Sequence, residues 1–141
     1  MKTVAVNFFV LVLTLIVAGY ANAEDESEEG ATPEKSKYVE LAPSFVTNFG
    51  LSTKKMQYIK ADITLRAPTQ VAVDAIEANA PLIRHQIVML LSRQTSDMMA
   101  LPNSQETIRV EALRVSREVL EAETGEPQIN DLLFTTFVIQ R

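Results

Sequence analysis

Residues 82–93 read Leu-Ile-Arg-His-Gln-Ile-Val-Met-Leu-Leu-Ser-Arg, and they form the most apolar stretch of the chain outside its first twenty residues. If the stretch is helical, its apolar side chains share one face, which consists of Ile83, Ile87, Leu90 and Leu91 and is widened by Leu82 and Val88. Full burial of each such side chain stabilises a fold by roughly 1.5–3 kcal/mol. Their sum matches the whole net stability of a small domain, about 5–15 kcal/mol. The stretch therefore predicts the helix around which the core packs.

Two prolines frame the segment before this helix. Pro81 suits the first turn of the core helix, because its missing N–H would have no partner within the helix there. The residue before a proline is pushed out of the helical region, so Asn79-Ala80-Pro81 predicts a corner. Upstream, Pro68 ends a strand and Thr69 has the side chain to cap a separate helix that runs to Asn79.

The clearest strand pattern covers residues 55–66. One face would carry Gln57, Ile59, Ala61, Ile63 and Leu65, and the other would carry Tyr58, Lys60, Asp62, Thr64 and Arg66. This period of two predicts a strand with one side on the core and the other towards water or a partner. Residues 38–50 predict an earlier strand that bends or bulges near Pro43, because proline removes a donor from the ladder.

A further helix and a last strand are predicted after the core helix. Residues 97–101 favour a single turn, Asn103 and Glu106 have the spacing of a capping box, and Gly125 suits the left-handed end of a helix. The expected core face of this helix consists of Ile108, Ala112, Val115 and Val119. Residues 128–141 are apolar at odd and even positions alike, which predicts a central strand that is covered on both sides, or buried against helices on one side and a neighbour on the other. Together the elements predict an α+β domain, with a small sheet of three or more strands packed with about three helices.

The first 37 residues differ in composition from the rest of the chain. Residues 1–23 contain Lys2, an apolar run and the small-residue site Ala21-Asn22-Ala23, which is the pattern of a secretory signal peptide. The alternative is a retained membrane anchor, which needs roughly twenty apolar residues. Residues 24–37 are acidic and poor in apolar side chains, so they predict a disordered linker. Residues 38–141 then form the predicted folded domain.

Composition excludes several kinds of site. The chain has no cysteine, which excludes disulfides, thiolate metal sites and cysteine nucleophiles. From Gly30 onward acidic and basic residues nearly balance, so a basic surface for nucleic acid is not expected. His85 is the single histidine, and no residue pattern nominates a nucleophile or an orienting acid beside it. We therefore predict no enzyme activity, no metal site and no cofactor.

Four segments together resemble the flagellar basal-body-associated FliL family, over about residues 37–141. They are Tyr-Val-Glu-Leu-Ala-Pro-Ser-Phe-Val-Thr-Asn-Phe at 38–49, Lys-Ala-Asp-Ile-Thr-Leu at 60–65, Ala-Pro-Leu-Ile-Arg-His-Gln-Ile-Val-Met-Leu-Leu-Ser-Arg-Gln-Thr at 80–95 and Asp-Leu-Leu-Phe-Thr-Thr-Phe-Val-Ile-Gln at 131–140. The resemblance implies a stomatin-like domain in the periplasm, associated with the inner membrane at the flagellar basal body. It also implies assembly into homo-oligomeric rings around the flagellar stator proteins, without enzymatic activity. The predicted signal peptide departs from the family pattern, which has a cytoplasmic start and a membrane-spanning helix.

Two functional hypotheses follow from these observations. In the first, the protein is a flagellar motor accessory protein that associates with the stator and supports motility. Its candidate partner-contact residues are Tyr58, Lys60 and Arg66, on the polar face of the clearest strand. In the second, it is a periplasmic binding module that uses the methionine-rich region around Met98 and Met99 for an apolar peptide or a lipid.

Overall fold

A computed structural model of the protein describes residues 35–50 and 56–140. Over these residues the elements are β1 (Lys37–Glu40), β2 (Phe45–Phe49), β3 (Gln57–Ala67), α1 (Gln70–Ser92), α2 (Ser96–Ala100), α3 (Ser104–Thr124) and β4 (Asp131–Gln140). This arrangement of a small antiparallel sheet with helices confirms the predicted α+β class. The predicted signal peptide at 1–23 and residues 24–34 of the predicted linker lie outside the described part of the chain.

β3 is the central strand of the sheet. Along one of its edges, β1 pairs antiparallel with residues 64–67 and β2 pairs antiparallel with residues 57–61. β4 pairs antiparallel with residues 58–66 along the other edge. β1 and β2 are separated at Pro43, which follows a cis peptide bond. The predicted interruption of the ladder at this proline is confirmed, but it divides the segment into two strands, whereas a single bent or bulged strand was predicted.

The alternation predicted for the central strand is also confirmed. Four apolar side chains of β3 are at most 1% exposed, namely Ile59, Ala61, Ile63 and Leu65. Lys60 between them is exposed, and the other alternate residues are half-buried. Because a shift of one residue would turn the whole apolar set outward, the buried face determines the register of the sheet.

β4 lies at the edge of the sheet, so the prediction of a central strand was wrong. Thr136 lies opposite Asp62 and Phe134 lies opposite Ile63, which leaves Thr135 as an extra residue in a β-bulge. The bulge reverses the alternation, so that the inner side chains are Leu132, Phe134, Phe137 and Ile139. The apolar residues at both odd and even positions therefore reflect one buried face that crosses a bulge, and not burial on two sides.

α1 is one continuous helix that contains Pro81, so the predicted corner at residues 79–81 was wrong. The Thr69 cap is confirmed, because its Oγ1 accepts a hydrogen bond of 3.1 Å from the N–H of Ala72. An internal proline destabilises a helix by about 3 kcal/mol. Here Ile76 before the proline and Ile83 after it are both fully buried on the same face, and this burial offsets the loss.

The core lies between the sheet and the facing stripes of α1 and α3. The α1 stripe is fully buried at Ala72, Ile76, Ile83, Ile87 and Leu91, whereas Leu82 is 47% exposed and does not widen it as predicted. The α3 stripe consists of Ile108, Ala112, Ser116 and Leu120. Val115 and Val119, which were predicted in this stripe, are only half-buried. Ser116 takes the place of these two valines in the buried stripe. Its hydroxyl can be buried because Oγ donates a hydrogen bond of 2.7 Å to the Ala112 carbonyl.

The ends of α2 and α3 follow the predictions in part. Thr95 caps α2 by accepting from the N–H of Met98 at 3.2 Å, and Gly125 ends α3 in the left-handed conformation with φ of 84°. The capping box at the start of α3 is absent, because the Asn103 side chain makes no capping hydrogen bond. Glu106 binds Arg109 through both carboxylate oxygens instead, each at 2.7 Å.

Two arginines of α3 fasten the helix to the start of β4. Arg109 Nη1 donates to Asp131 Oδ1 at 2.6 Å and to the Leu132 carbonyl at 3.2 Å. Arg117 donates to the carbonyls of Ile129 and Asn130, at 2.7 and 2.9 Å. These side chains supply hydrogen-bond donors to backbone carbonyls of the α3–β4 connection and of the first residues of β4.

None of the helices in the described part of the chain has the length and apolar character needed to cross a membrane.

Candidate interaction surface

The sheet has one face that points away from the core, which we call the outer face. It consists of Tyr38 and Glu40 of β1, Val46 and Asn48 of β2, the alternate residues Tyr58 to Arg66 of β3, and Asp131, Leu133, Thr136, Val138 and Gln140 of β4. Each of these side chains is exposed or half-buried. All three predicted contact residues lie on this face, since Tyr58, Lys60 and Arg66 occupy alternate positions of β3.

Lys60 lies between two exposed valines. The sheet register places Val46 of β2 on one side of it and Val138 of β4 on the other. Val46 is 64% exposed and Val138 is 48% exposed. The two valines offer apolar area to a partner, and the charge of Lys60 would favour a partner that carries a nearby anion.

The other two predicted contact residues are more closely held by the fold. The Tyr58 hydroxyl donates to Oε1 of Gln140 on the neighbouring strand. Arg66 is half-buried between Tyr38 and Asp131 in the register, and its Nε is buried without a hydrogen-bond partner in the described part of the chain. Lys60 and Arg66 are six residues apart, about 20 Å along the strand, so they belong to opposite ends of the outer face.

Asp62 lies between these ends and keeps its negative charge. Hydrogen bonds from the hydroxyls of Ser44 and Thr136 lower the pKa of the Asp62 carboxyl, and the nearby Lys60 lowers this pKa further. The outer face therefore alternates a cation, an anion and a second cation along β3. Such an alternating pattern favours a partner with complementary charges over a uniformly charged surface.

The sequence pattern did not reveal the apolar part of the outer face. Val46 follows a buried phenylalanine in a short strand, and only the strand register shows that Val46 lies beside Lys60. Val138 belongs to β4, where the bulge conceals the alternation. Knowledge of the strand pairing was therefore the missing signal.

A separate groove of about 880 Å³ lies where α1, α2 and α3 meet. Its apolar lining includes Leu90, Met98 and Val110, and its rim carries Glu106 and Glu111. Met99, the other methionine of the predicted binding region, is 1% exposed and belongs to the core. Only Met98 of that pair is therefore available to a ligand in this groove.

The described residues show no arrangement of catalytic groups. His85 is exposed on α1 and has no hydrogen bond or ion pair within residues 35–50 and 56–140. In the same part of the chain, no three histidine or acidic side chains are grouped as a metal site would require.

Comparison with known proteins gives two matches. A family model described as "Flagellar basal body-associated protein FliL" matches residues 38–140. The protein "Flagellar protein FliL" of Aquifex aeolicus (strain VF5) is 28% identical to this chain over 110 residues. That match covers 78% of this chain and 65% of the relative, so the chain spans just under two thirds of the relative's length. The matches confirm the resemblance carried by the four sequence segments.

Proposed function

This chain belongs to the FliL family of flagellar basal body-associated proteins, and we propose that it is a motor accessory protein that associates with the stator and supports motility. The observation that carries the proposal is the family match over residues 38–140, which contains every described helix and nearly every strand residue. Among the described residues no grouping of side chains suits a metal ion, and the proposed role is exerted through surface contacts. We propose no enzymatic activity.

The proposal includes a location and an assembly. The protein would act in the periplasm, associated with the inner membrane at the basal body, as a homo-oligomeric ring around stator units. It would be a stomatin-like domain in this setting. The folded domain begins with β1 at Lys37, so the preceding residues are available as an export signal or as an anchor.

The outer face is the proposed surface for stator contact. Tyr58, Lys60 and Arg66 are the proposed contact residues, and the exposed Val46 and Val138 supply apolar area around the lysine. Among residues 35–50 and 56–140, the helices cover the core-facing side of the sheet and leave the outer face uncovered, so the outer face is the side proposed for the partner. A mixed apolar and charged composition suits a reversible contact between folded proteins.

A deletion strain tests the proposed role. Loss of the protein is expected to reduce swimming in viscous medium and spreading in soft agar, and re-expression is expected to restore both. A fluorescent fusion of the full chain is expected to localise at the flagellar base. Normal motility under load together with uniform localisation around the cell would contradict the proposal.

Matched variants test the proposed surface. Lys60→Glu is expected to weaken stator association, whereas Arg93→Glu changes an exposed cation away from the outer face and is expected to have little effect. Val46→Asp and Val71→Asp form a second pair, because the two valines are 64% and 68% exposed but only Val46 lies on the outer face. Stator co-purification and swimming in viscous medium are measured, with melting temperature as the control for folding. Equal effects within each pair would exclude the outer face.

The groove between the three helices supports a second candidate function, the binding of an apolar peptide or a lipid. Its lining is apolar at Met98 and Val110, and the latter is 53% exposed. Native mass spectrometry of the protein purified from its own cells tests this candidate. A bound small molecule that is lost in a Val110→Glu variant would support it, and a protein-only spectrum would exclude it.

A further inference from the structure

The groove between the three helices carries charge of one sign. Among the described residues that line it, the charged ones are Glu106 and Glu111, both on α3. Hydrogen bonds from Arg109 and Arg114 lower the pKa of these two carboxyls, so both are ionised at neutral pH. The groove therefore joins an apolar surface to a wall of anions.

The two arginines do not cancel this charge, because each of them is shared between two carboxylates. The ion pairs are those of Arg109 with Glu106 and Asp131, and those of Arg114 with Glu111 and Glu118. Each group of one arginine and two acids carries a net charge of −1. A cation that approaches the groove is therefore attracted to it.

Gln94 adds a hydrogen-bond acceptor to the groove. This residue lines the groove just after the end of α1, and it is only 8% exposed. Its Nε2 donates to the Leu90 carbonyl at 2.9 Å, while Oε1 accepts no hydrogen bond within residues 35–50 and 56–140. In the same part of the chain, the one fully buried side-chain atom that lacks a partner is Arg66 Nε, so Gln94 Oε1 is open to solvent. A donor on a ligand can reach this oxygen.

The apolar lining of the groove comes from all three helices. Met98 and Val110 are 46% and 53% exposed, and Leu90 lies half-buried between them and the core. The volume of about 880 Å³ lies within the usual range for ligand sites, roughly 300–1,000 Å³. Apolar grooves between helices commonly take the apolar side chains of a further helix, and methionine adapts to different side-chain shapes.

We propose that this groove binds an amphipathic helical peptide that carries a lysine or arginine beside its apolar residues. The apolar side chains of the peptide cover Met98 and Val110, and its cation lies against the carboxylates of Glu106 and Glu111. Gln94 Oε1 accepts a hydrogen bond from the same ligand. The inference rests on the second candidate function, the binding of an apolar peptide or a lipid, and it names the charge of the partner.

The charge of the groove favours such a peptide over a lipid. Phospholipids carry a phosphate next to their apolar chains, and the carboxylates of α3 repel a phosphate. A lysine or arginine beside apolar side chains is attracted by the same carboxylates. Charge complementarity therefore decides between the two kinds of occupant.

Peptide binding to the full chain, measured by fluorescence anisotropy, tests this selection. The probes are three synthetic helices with the same leucine pattern, in which every polar residue is lysine, glutamine or glutamate. The lysine peptide is expected to bind roughly tenfold more tightly than the glutamine peptide, and the glutamate peptide least tightly. Added salt should reduce this difference, because exposed charges are screened. Equal binding of the lysine and glutamine peptides would overturn the inference and leave the second candidate function standing.

Two charge reversals on α3 locate the bound cation. The acidic residues 24–29 also attract a cationic peptide, so affinity alone does not identify the groove. Glu111→Lys is expected to weaken binding of the lysine peptide roughly fivefold, and Glu118→Lys to have little effect. Both glutamates bind Arg114, but only Glu111 lines the groove. They are about 10 Å apart along the helix, beyond the screening length of about 8 Å at physiological salt. Equal losses from the two reversals would overturn the proposal.

A second pair of variants tests the apolar lining. Val110→Asn is expected to weaken binding of the lysine peptide roughly tenfold, whereas Val71→Asn changes an exposed valine of α1 away from the groove and should have little effect. Melting temperatures show whether each variant is folded. Unchanged binding by Val110→Asn would refute both the inference and the second candidate function.

Native mass spectrometry of the full chain reports competing occupants. The lysine peptide is expected to form a complex with the native chain and to displace whatever occupies the groove. A lipid or a second copy of the chain that is lost in Val110→Asn, but that the lysine peptide does not displace, would overturn the proposal.

Discussion

Arg84 lies across the ring of Phe45, with its guanidinium carbon 4.2 Å from the ring centroid. The same side chain donates from Nη1 to the carbonyl of Pro43 at 2.7 Å and also to the carbonyl of Leu41. One residue of α1 therefore holds the connection between β1 and β2 by a cation–π contact and two hydrogen bonds. Helical periodicity had placed Arg84 off the apolar face, but it gave no indication of this role.

Arg84→Met is expected to lower the free energy of unfolding by about 1.5–3 kcal/mol. The variant keeps the apolar stem but loses the cation–π contact and leaves two carbonyls without their charged donor. Urea denaturation measures the loss. Arg93→Met is the control, because Arg93 is exposed at the end of the same helix. Equal losses in the two variants would show that the contacts of Arg84 contribute nothing.

Leu91→Ala is expected to lower the free energy of unfolding by about 2–5 kcal/mol, through lost burial and the cavity left behind. Leu91 has no exposed surface, whereas Leu82 on the same helix is 47% exposed. Leu82→Ala should therefore change stability much less, and the two variants should be compared in the same denaturant series. A melting temperature for Leu91→Ala within a degree of the native value would show that α1 is not part of the core.

Pro81→Ala is expected to stabilise the protein by about 1–3 kcal/mol. Proline in the body of α1 leaves the carbonyl of Glu77 without its usual donor, and alanine restores both the N–H and a good helix former. Thermal and urea denaturation both report the gain. Pro102→Ala is the matched control, since Pro102 lies outside the helices and its replacement restores no helical hydrogen bond. A lower stability of the Pro81→Ala variant would contradict the conclusion that Pro81 destabilises α1.

Gly50→Ala is expected to destabilise the protein more than Gly125→Ala. Both glycines have positive φ, 78° and 84°, which costs about 1–2 kcal/mol for alanine. A Cβ at Gly50 would also lie 2.9 Å from Ser96 Oγ and 3.0 Å from Gln57 Oε1, whereas a Cβ at Gly125 meets nothing within 4 Å.

The excess at Gly50 arises from the hydrogen bond of 2.5 Å that Ser96 Oγ donates to Gln57 Oε1, which the new methyl group would disturb. Adding Ser96→Ala removes the closer of the two contacts and also the hydrogen bond that holds the Gln57 side chain, which can then turn away from the new methyl group. The excess loss, about 1 kcal/mol by the usual value of one hydrogen bond, should therefore disappear in a double-mutant cycle of denaturation energies. An excess that persists in the cycle would point to another cause.

Asp62 is expected to make the stability depend on acidic pH. Hydrogen bonds from Ser44 and Thr136 lower the pKa of its carboxyl below the ordinary 3.8 in the folded protein. A group with a lowered folded pKa adds stability that is present above the ordinary value and is lost as the pH falls through the folded value. Asp62→Asn should therefore flatten the loss of stability below pH 4. Ser44→Ala should raise the pKa of Asp62, as measured by NMR titration, and an unchanged pKa would exclude the serine as its cause.

Local sequence patterns were reliable where one residue determines its own surroundings. The alternation in β3, the Thr69 cap, the interruption of the ladder at Pro43 and the left-handed Gly125 were all predicted and observed. In each case the determining interaction lies within a few residues along the chain, so the pattern carries it. The candidate contact residues of β3 were placed on one face for the same reason, although their role in contact stays a prediction.

The errors occurred where distant residues decided between local alternatives. Pro81 locally favours a corner, but burial of Ile76 and Ile83 against the sheet keeps the helix continuous. In β4 the bulge at Thr135 shifts the apolar residues from even to odd positions, so the sequence pattern is the same as that of a strand buried on both sides. Both features depend on tertiary contacts, which form between segments that are distant in the sequence.

The sequence by itself determined the class of the fold, the positions of most helices and strands, and the family, because hydrophobic periodicity and short motifs are local properties. Only the tertiary structure decided that β4 lies at the edge, that Val46 and Val138 flank Lys60, and that Arg84 covers Phe45. Strand order and register bring together residues that lie far apart in the chain. Those contacts depend on the burial and hydrogen bonding of the whole sheet, which no single segment encodes.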